Sequence, residues 1–262
     1  MKMYFIPHGD MIQAMSKNSR QLHKKALGVL LRRHFGMSQM DLECWLADDS
    51  GMYPKPAEGY ENMDPHARVW YIAHRDFQTL LTGEPLNAVT TKFIEVLRRR
   101  LTNHELARDQ WTEIPDLITF LNEEMLAATI EVLCGAGIFE ASPDIVKNFY
   151  SFDDAFPKIV RRVPRFIARS AYDMRDRLVE DVKRWHRWAA ARFDWEDEAA
   201  VEADWEPIYG AKLMRARARM MHNTNMSADG KASLDLSFIW AYVVLLAPKH
   251  EFILTSTGQM RM

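Results

Sequence analysis

The chain has 262 residues, with 34 basic and 36 acidic side chains, a formal net charge of -2, 48% hydrophobic and 27% charged residues. That composition belongs to a globular protein and excludes a disordered or fibrous one. The balanced charge removes any general electrostatic case for nucleic acid or an anionic membrane, and two cysteines exclude a disulfide framework or a four-cysteine zinc site.

Residues 3–7 are aromatic and branched and predict a short strand, ended by Pro7 and Gly9. A helix start follows at Met11, Ile12 and Met15. A second helix over 21–35 places Leu22, Ala26, Leu30 and Leu31 on one face, with Gly36 as its stop. Residues 48–70 hold Gly51, Pro54, Pro56, Gly59 and Pro65 without a period and predict a long irregular loop. Regular stripes then predict helices. Leu86, Val89, Phe93, Leu97 and Leu101 mark 86–101, and Ile114, Leu117, Leu121, Met125, Ala128 and Val132 mark 114–134, with the helix expected over 116–134. A helix over 144–155 is expected to take Ser142 as N-cap and Pro143 as its first residue. Residues 170–193 carry Met174, Leu178, Val182, Trp185, Ala189 and Phe193. Ser170 is the expected cap there, and Asp173–Arg177 and Glu180–Arg184 are the expected surface pairs. Helices at about 206–222 and 231–246 complete a mostly α chain. The late apolar run, 238–247, falls short of the roughly 20 residues that cross a bilayer.

Catalytic motifs are absent: no Gly-x-Ser-x-Gly, Walker loop, Gly-x-Gly-x-x-Gly or His-Glu-x-x-His occurs. His66 and His74 lie eight apart across a loop-to-helix transition, which suits solvated surface better than a metal. Arg98, Arg99 and Arg100 end a helix, where cations favour the dipole, so a solvated helix end is expected rather than a phosphate site. Arg161, Arg162 and Arg165 form a second basic run, with no interleaved aromatics for a nucleic-acid platform. Cys134, at a helix end, fits a buried small hydrophobe, and Cys44 lies in a helical Leu42-Glu43-Cys44-Trp45. The residues therefore assign no catalytic, cofactor-binding or metal residue. They fit a lipophile-binding shell or a helical interaction protein.

The order of segments resembles the cytochrome P-450 family, and within it fungal relatives of the sterol 7α-hydroxylase and prostacyclin synthase clade. Leu81-Thr82-Gly83-Glu84-Pro85-Leu86-Asn87-Ala88-Val89-Thr90 resembles the entry to helix C. Trp111-Thr112-Glu113 through Leu133-Cys134-Gly135 resembles helix D, and 144–167 the E–F region. Residues 170–193 resemble helix F, Asp204-Trp205 to Leu213-Met214 the approach to G, and Asp235 to Ala241 the opening of helix I. The resemblance implies one partial domain over 1–262, about helix B to the start of helix I, with a short N-terminal strand and a divergent tail at 242–262.

The family inserts one atom of O₂ into a lipophilic substrate at a haem iron held by a cysteine thiolate, with electrons from an NADPH–cytochrome reductase. The resemblance implies haem, that reductase and a lipophilic metabolite of secondary metabolism for a full-length product. It places the substrate lid at roughly 155–215 and 48–80. The Glu-x-x-Arg of helix K and the Cys-x-Gly loop belong to the part of the family that follows the start of helix I, which the resemblance does not reach. Trp188…Arg192 and Trp70…His74 do not match the helix C Trp-x-x-x-Arg in place and residues together. This polypeptide is therefore expected to bind no haem thiolate and to be inactive alone, as a truncated allele or an intron read-through. Its location is expected to be cytoplasmic or peripheral at the endoplasmic reticulum, with no transmembrane anchor and no nucleic-acid partner. Unpartnered apolar faces are expected on the helices near 116–134 and 231–246. The alternative is a non-enzymatic all-α binding or scaffold protein.

Overall fold

The structure, a computed structural model, describes residues 8–11, 13, 31, 34–104 and 113–246, without the side chains of 244–246. The strand at 3–7 and most of the helix at 21–35 lie outside the described residues, as does most of the divergent tail. Gly36 takes φ +79°, a left-handed conformation that suits glycine at a helix stop. Leu31 and Phe35 just before it are buried.

The helices are α1 (Gln39–Leu46), α2 (Val69–Leu80), α3 (Gly83–Asn103), α4 (Leu117–Cys134), α5 (Gly137–Ala141), α6 (Ile145–Val160), α7 (Arg169–Ala190), α8 (Glu198–Glu202), α9 (Lys212–His222) and α10 (Ala228–Leu246). The strands β1 (Trp205–Glu206) and β2 (Gly210–Ala211) form an antiparallel hairpin between α8 and α9. Among the described residues the fold is mostly α, as the stripes imply. No described helix is long and apolar enough to cross a membrane.

The core is built on α7. Its Leu178, Val182, Trp185 and Ala189 are buried against α6 on one side and α10 on the other. Fully burying a side chain such as Leu178 stabilises the fold by about 1.5–3 kcal/mol. A second core joins Leu42 and Trp45 of α1, Trp70 and Ile72 of α2, and Met220 and Met221 of α9. There the Trp70 indole N–H donates to the Trp45 carbonyl at 2.9 Å. The faces expected to be unpartnered are largely covered. Leu126 to Cys134 of α4 are buried, as are Leu234, Leu236, Ile239 and Val243 of α10. Only the first turns of α4 leave Leu117, Ile118 and Leu121 in solvent.

Several local expectations are corrected. Ser142 does not cap α6. It is fully buried, and its hydroxyl donates to the Asp181 carbonyl at 3.0 Å, because the α5–α6 turn is pressed against α7. Helix α6 continues to Val160 and carries Pro157 in its last turn. Ser170 lies inside α7, whose N-cap is Ala168. The expected i,i+4 pairs on α7 do not form. Arg165, in the preceding loop, reaches Asp176 at 2.8 Å and Asp173 at 3.3 Å, and Glu180 pairs with Lys183 and Arg187. Arg184 turns inward to the fully buried Asp181. The start of the predicted 206–222 helix is the hairpin instead. The Glu206 carboxylate accepts the amides of Ile208 (2.8 Å) and Tyr209 (2.5 Å), closing a tight turn that competes with the helix.

The 48–70 loop is irregular as expected, up to a short 3₁₀ turn at Pro65–Ala67, but it is tied at its base. Arg68, 3% exposed, donates to the carbonyls of Pro54 (2.9 Å) and Tyr53 (2.5 Å) and to the Ser50 hydroxyl (3.2 Å). Asp48 accepts the Trp70 amide at 3.0 Å.

Candidate functional site

A half-open cleft of about 860 Å³ lies between α2, the end of α7, α9 and the start of α10. One stripe of α9 lines it with Lys212, Arg215, Arg219 and His222, the 3–4 spacing of a single helical face. Helix α2 faces it with Tyr71, Ile72, Arg75 and Asp76. The aromatic side is a chain of rings: Trp185 to Tyr209 at 5.8 Å, and Tyr209 to Trp195 at 5.7 Å. Burial, with the charges of Asp235 and Glu206, pushes the Tyr209 phenol up to about 12, so it stays protonated at neutral pH.

Three ionisable side chains meet where α7, α9 and α10 pack together, and two of them, His186 and Asp235, line the cleft. Asp235 of α10 is 1% exposed. The Nε of Arg217 (α9) donates to its Oδ1 at 2.7 Å, and Arg217 Nη2 lies as close to that oxygen without hydrogen-bonding geometry. The other oxygen, Oδ2, is 3.0 Å from Nε2 of His186 (α7). Burial would push the Asp235 carboxyl up, but the Arg217 charge and the His186 contact outweigh it and hold the group below the usual carboxylate range. The trio ties together three helices, and Arg217 also lies over the Phe238 ring at 4.4 Å. None of the three was singled out from the sequence. The available signal was a lone carboxylate, Asp235, inside the apolar stripe Leu234, Leu236 and Ile239, which buried helices rarely carry unpaired.

Apart from His66, the residues weighed from the sequence fall outside the cleft. His66 is among the residues lining the cleft, while His74 packs edge-on to Tyr53 at 6.0 Å. No group of three or more His, Cys, Asp or Glu able to hold a metal occurs among the described residues. The basic run at the end of α3 is more than a solvated helix end. Arg99 pairs with Glu131, and Arg100 with Glu124 at 2.8 Å, both on α4. Arg192 stacks over its own neighbour Trp188 at 4.5 Å, a local i,i+4 contact. Trp70 is spent on the α1–α2 core.

A haem of the P-450 type takes a deprotonated cysteine sulfur as its axial ligand, and the two cysteines do not fit that role. Cys134 is fully buried at the end of α4. Burial and the Asp235 charge push its thiol well up, only partly offset by Arg217, so it remains a protonated core side chain. Cys44 is half-buried on α1, with its Sγ 4.0 Å from the Asn225 carbonyl. Neither sulfur lines the cleft.

The described residues thus form a mostly α shell around a cleft with aromatic and cationic lining. Similarity to known proteins makes the assignment particular. The chain is 29% identical over 187 residues to the cytochrome P450 monooxygenase fsoE of Humicola fuscoatra. It is 29% identical over 172 residues to efuG of Hormonema carpetanum, and 25% identical over 241 residues to calL of Penicillium decumbens, both cytochrome P450 monooxygenases. These alignments cover 70%, 64% and 91% of this chain. They cover 32%, 30% and 44% of the relatives, so the chain spans less than half the length of the curated proteins it matches. No family profile matches, and no solved structure does. The chain is thus similar over most of its length to part of these fungal cytochrome P450 monooxygenases.

Proposed function

We propose that this chain is the substrate-side portion of a haem monooxygenase that oxidises a lipophilic metabolite of fungal secondary metabolism, with electrons from an NADPH–cytochrome reductase. The observation that carries the reading is the similarity to three fungal P450 monooxygenases, one of them collinear over 91% of the chain. The aromatic cleft is in keeping with apolar ligands. The nearest clade in this reading is that of the sterol 7α-hydroxylases and prostacyclin synthase. Residues 1–262 form one partial domain, peripheral at the endoplasmic reticulum when part of a longer product.

By itself the polypeptide 1–262 is proposed to be inactive as an oxygenase. Its two thiols are a protonated core group and a helix side chain, and neither supplies the thiolate that the chemistry requires. The test is to sequence the spliced message and express its product beside residues 1–262, each with a fungal reductase. A longer product that carries a further cysteine and forms a thiolate-type carbonyl complex supports the reading. A message that encodes residues 1–262 alone, with oxygenase activity in its product, contradicts it.

A further inference from the structure

We propose that the cleft between α2, α7, α9 and α10 binds a flat apolar ligand carrying one anionic group, an aromatic or polycyclic carboxylate. The inference is independent of the monooxygenase reading, because it concerns a site built wholly from side chains of this chain and needs no haem.

Shape comes first. About 860 Å³ of half-open space admits a fused ring system with a short tail. On the wall that would receive the rings, Trp195 is half-buried, and the buried Tyr209 and Trp185 back it in successive contact. The exposed part of Trp195 offers an aromatic surface for an apolar ring to pack against.

Charge then selects the ligand. The cations of the lining are mostly committed. Arg75 is held by Asp76 at 2.7 Å and Lys212 by Glu202 at 2.6 Å. Arg215 is held by Glu206 at 3.4 Å and by the Gly210 carbonyl at 2.7 Å. The buried carboxylate, Asp235, is matched by Arg217 and His186. Two cations remain: Arg219 of α9 and Lys231 of α10 have no carboxylate within ion-pairing distance among the described residues. Arg219 lies over the Trp195 ring at 5.1 Å, at the edge of the aromatic wall. Its charge reaches Glu202 only at longer range, where Lys212 is the dominant partner. A guanidinium held on an aromatic ring keeps its N–H fork for a planar oxyanion. Lys231 stands one helical turn before Asp235 and adds a second positive charge from another wall. A ligand that packs against Trp195 and presents a carboxylate to Arg219 and Lys231 satisfies both features. A neutral ligand of the same shape satisfies only the first.

The test uses the full chain, 1-pyrenebutyrate as the anionic probe and 1-pyrenebutanol as its neutral counterpart, with energy transfer from tryptophan to pyrene as the readout. Two tryptophans, Trp185 and Trp195, line the cleft. The acid is expected to bind about tenfold more tightly than the alcohol at low salt, a gap that narrows as salt is raised. The R219M/K231M variant should lose that preference while keeping the alcohol affinity. Arg98→Met, an exposed cation outside the cleft, should change neither. Ala216→Trp, which fills the cleft from α9, should abolish both. Equal affinities of the wild-type chain for acid and alcohol overturn the proposal without recourse to any variant. So does the absence of saturable transfer, or a preference that survives R219M/K231M with native circular dichroism.

Discussion

Replacing Asp235 by asparagine removes the one carboxylate that Arg217 and His186 share. The residue volume and the helix are kept. What changes is the charge at 2.7 Å from Arg217 Nε and at 3.0 Å from His186 Nε2, in a place where Asp235 is 1% and Arg217 is 9% exposed. A buried ion stripped of its partner costs about 3–5 kcal/mol, against a total stability of about 5–15 kcal/mol for an ordinary domain. Asp235→Asn is therefore expected to lose about a fifth or more of the folding free energy, read by urea denaturation with tryptophan fluorescence at pH 7. The double variant D235N/R217M also removes the orphaned cation and should regain about 2 kcal/mol of that loss. The pH dependence has a defined sign. The Asp235 carboxyl sits below its ordinary value in the folded state. Its contribution is thus fully present above the unfolded value of about 4 and is lost as the pH falls through the depressed folded value. The wild-type advantage over Asp235→Asn should shrink along that descent. A loss below about 1 kcal/mol at pH 7, or a double variant no better than the single, would refute the claim that the trio fastens α7, α9 and α10.

Three further outcomes are expected. Gly135 has φ +82°, and a Cβ there would meet the Pro207 carbonyl carbon at 2.7 Å, so Gly135→Ala should cost at least about 2 kcal/mol in the same denaturation assay. A thiol reagent should modify Cys44 alone in the native chain and both cysteines in urea, because Cys134 is fully buried with its thiol held protonated; rapid native modification of Cys134 would show that the end of α4 is open. Arg68→Ala removes the ties to Ser50, Tyr53 and Pro54, and chymotryptic cleavage after Tyr60 should accelerate severalfold while the helical circular dichroism holds.

The helical character and the main stripes were legible because apolar residues at 3–4 spacing leave little choice of period, as in 86–101 and 170–193. Helix ends were less so. Ser142 and Ser170 look like caps locally, but Ser142 is drawn to the Asp181 carbonyl of another helix and Ser170 falls a residue past the start of α7. Helix α2 was hidden because its first turn follows a proline-rich loop and its burial depends on Trp45 from elsewhere in the chain. The hairpin at Trp205–Ala211 was missed because Glu206 stabilises it through a turn of backbone amides, which carries no periodic signature. The cleft was illegible for a similar reason. Arg219, Lys231 and Trp195 come from three separate segments, and only the packing of α7, α9 and α10 brings them around one space. The family resemblance succeeded where single motifs failed, since it rested on collinear order.

The measurement that bears most directly on the account is a carbon monoxide difference spectrum of purified residues 1–262 after addition of hemin and reduction, with Cys44→Ser and Cys134→Ser run alongside. The expected result is a spectrum without the red-shifted Soret band of a thiolate-ligated ferrous carbonyl, unchanged by either substitution. A band of that kind, lost in one of the two variants, would contradict the assignment of both cysteines to structural roles and make this chain a haem-thiolate protein in its own right.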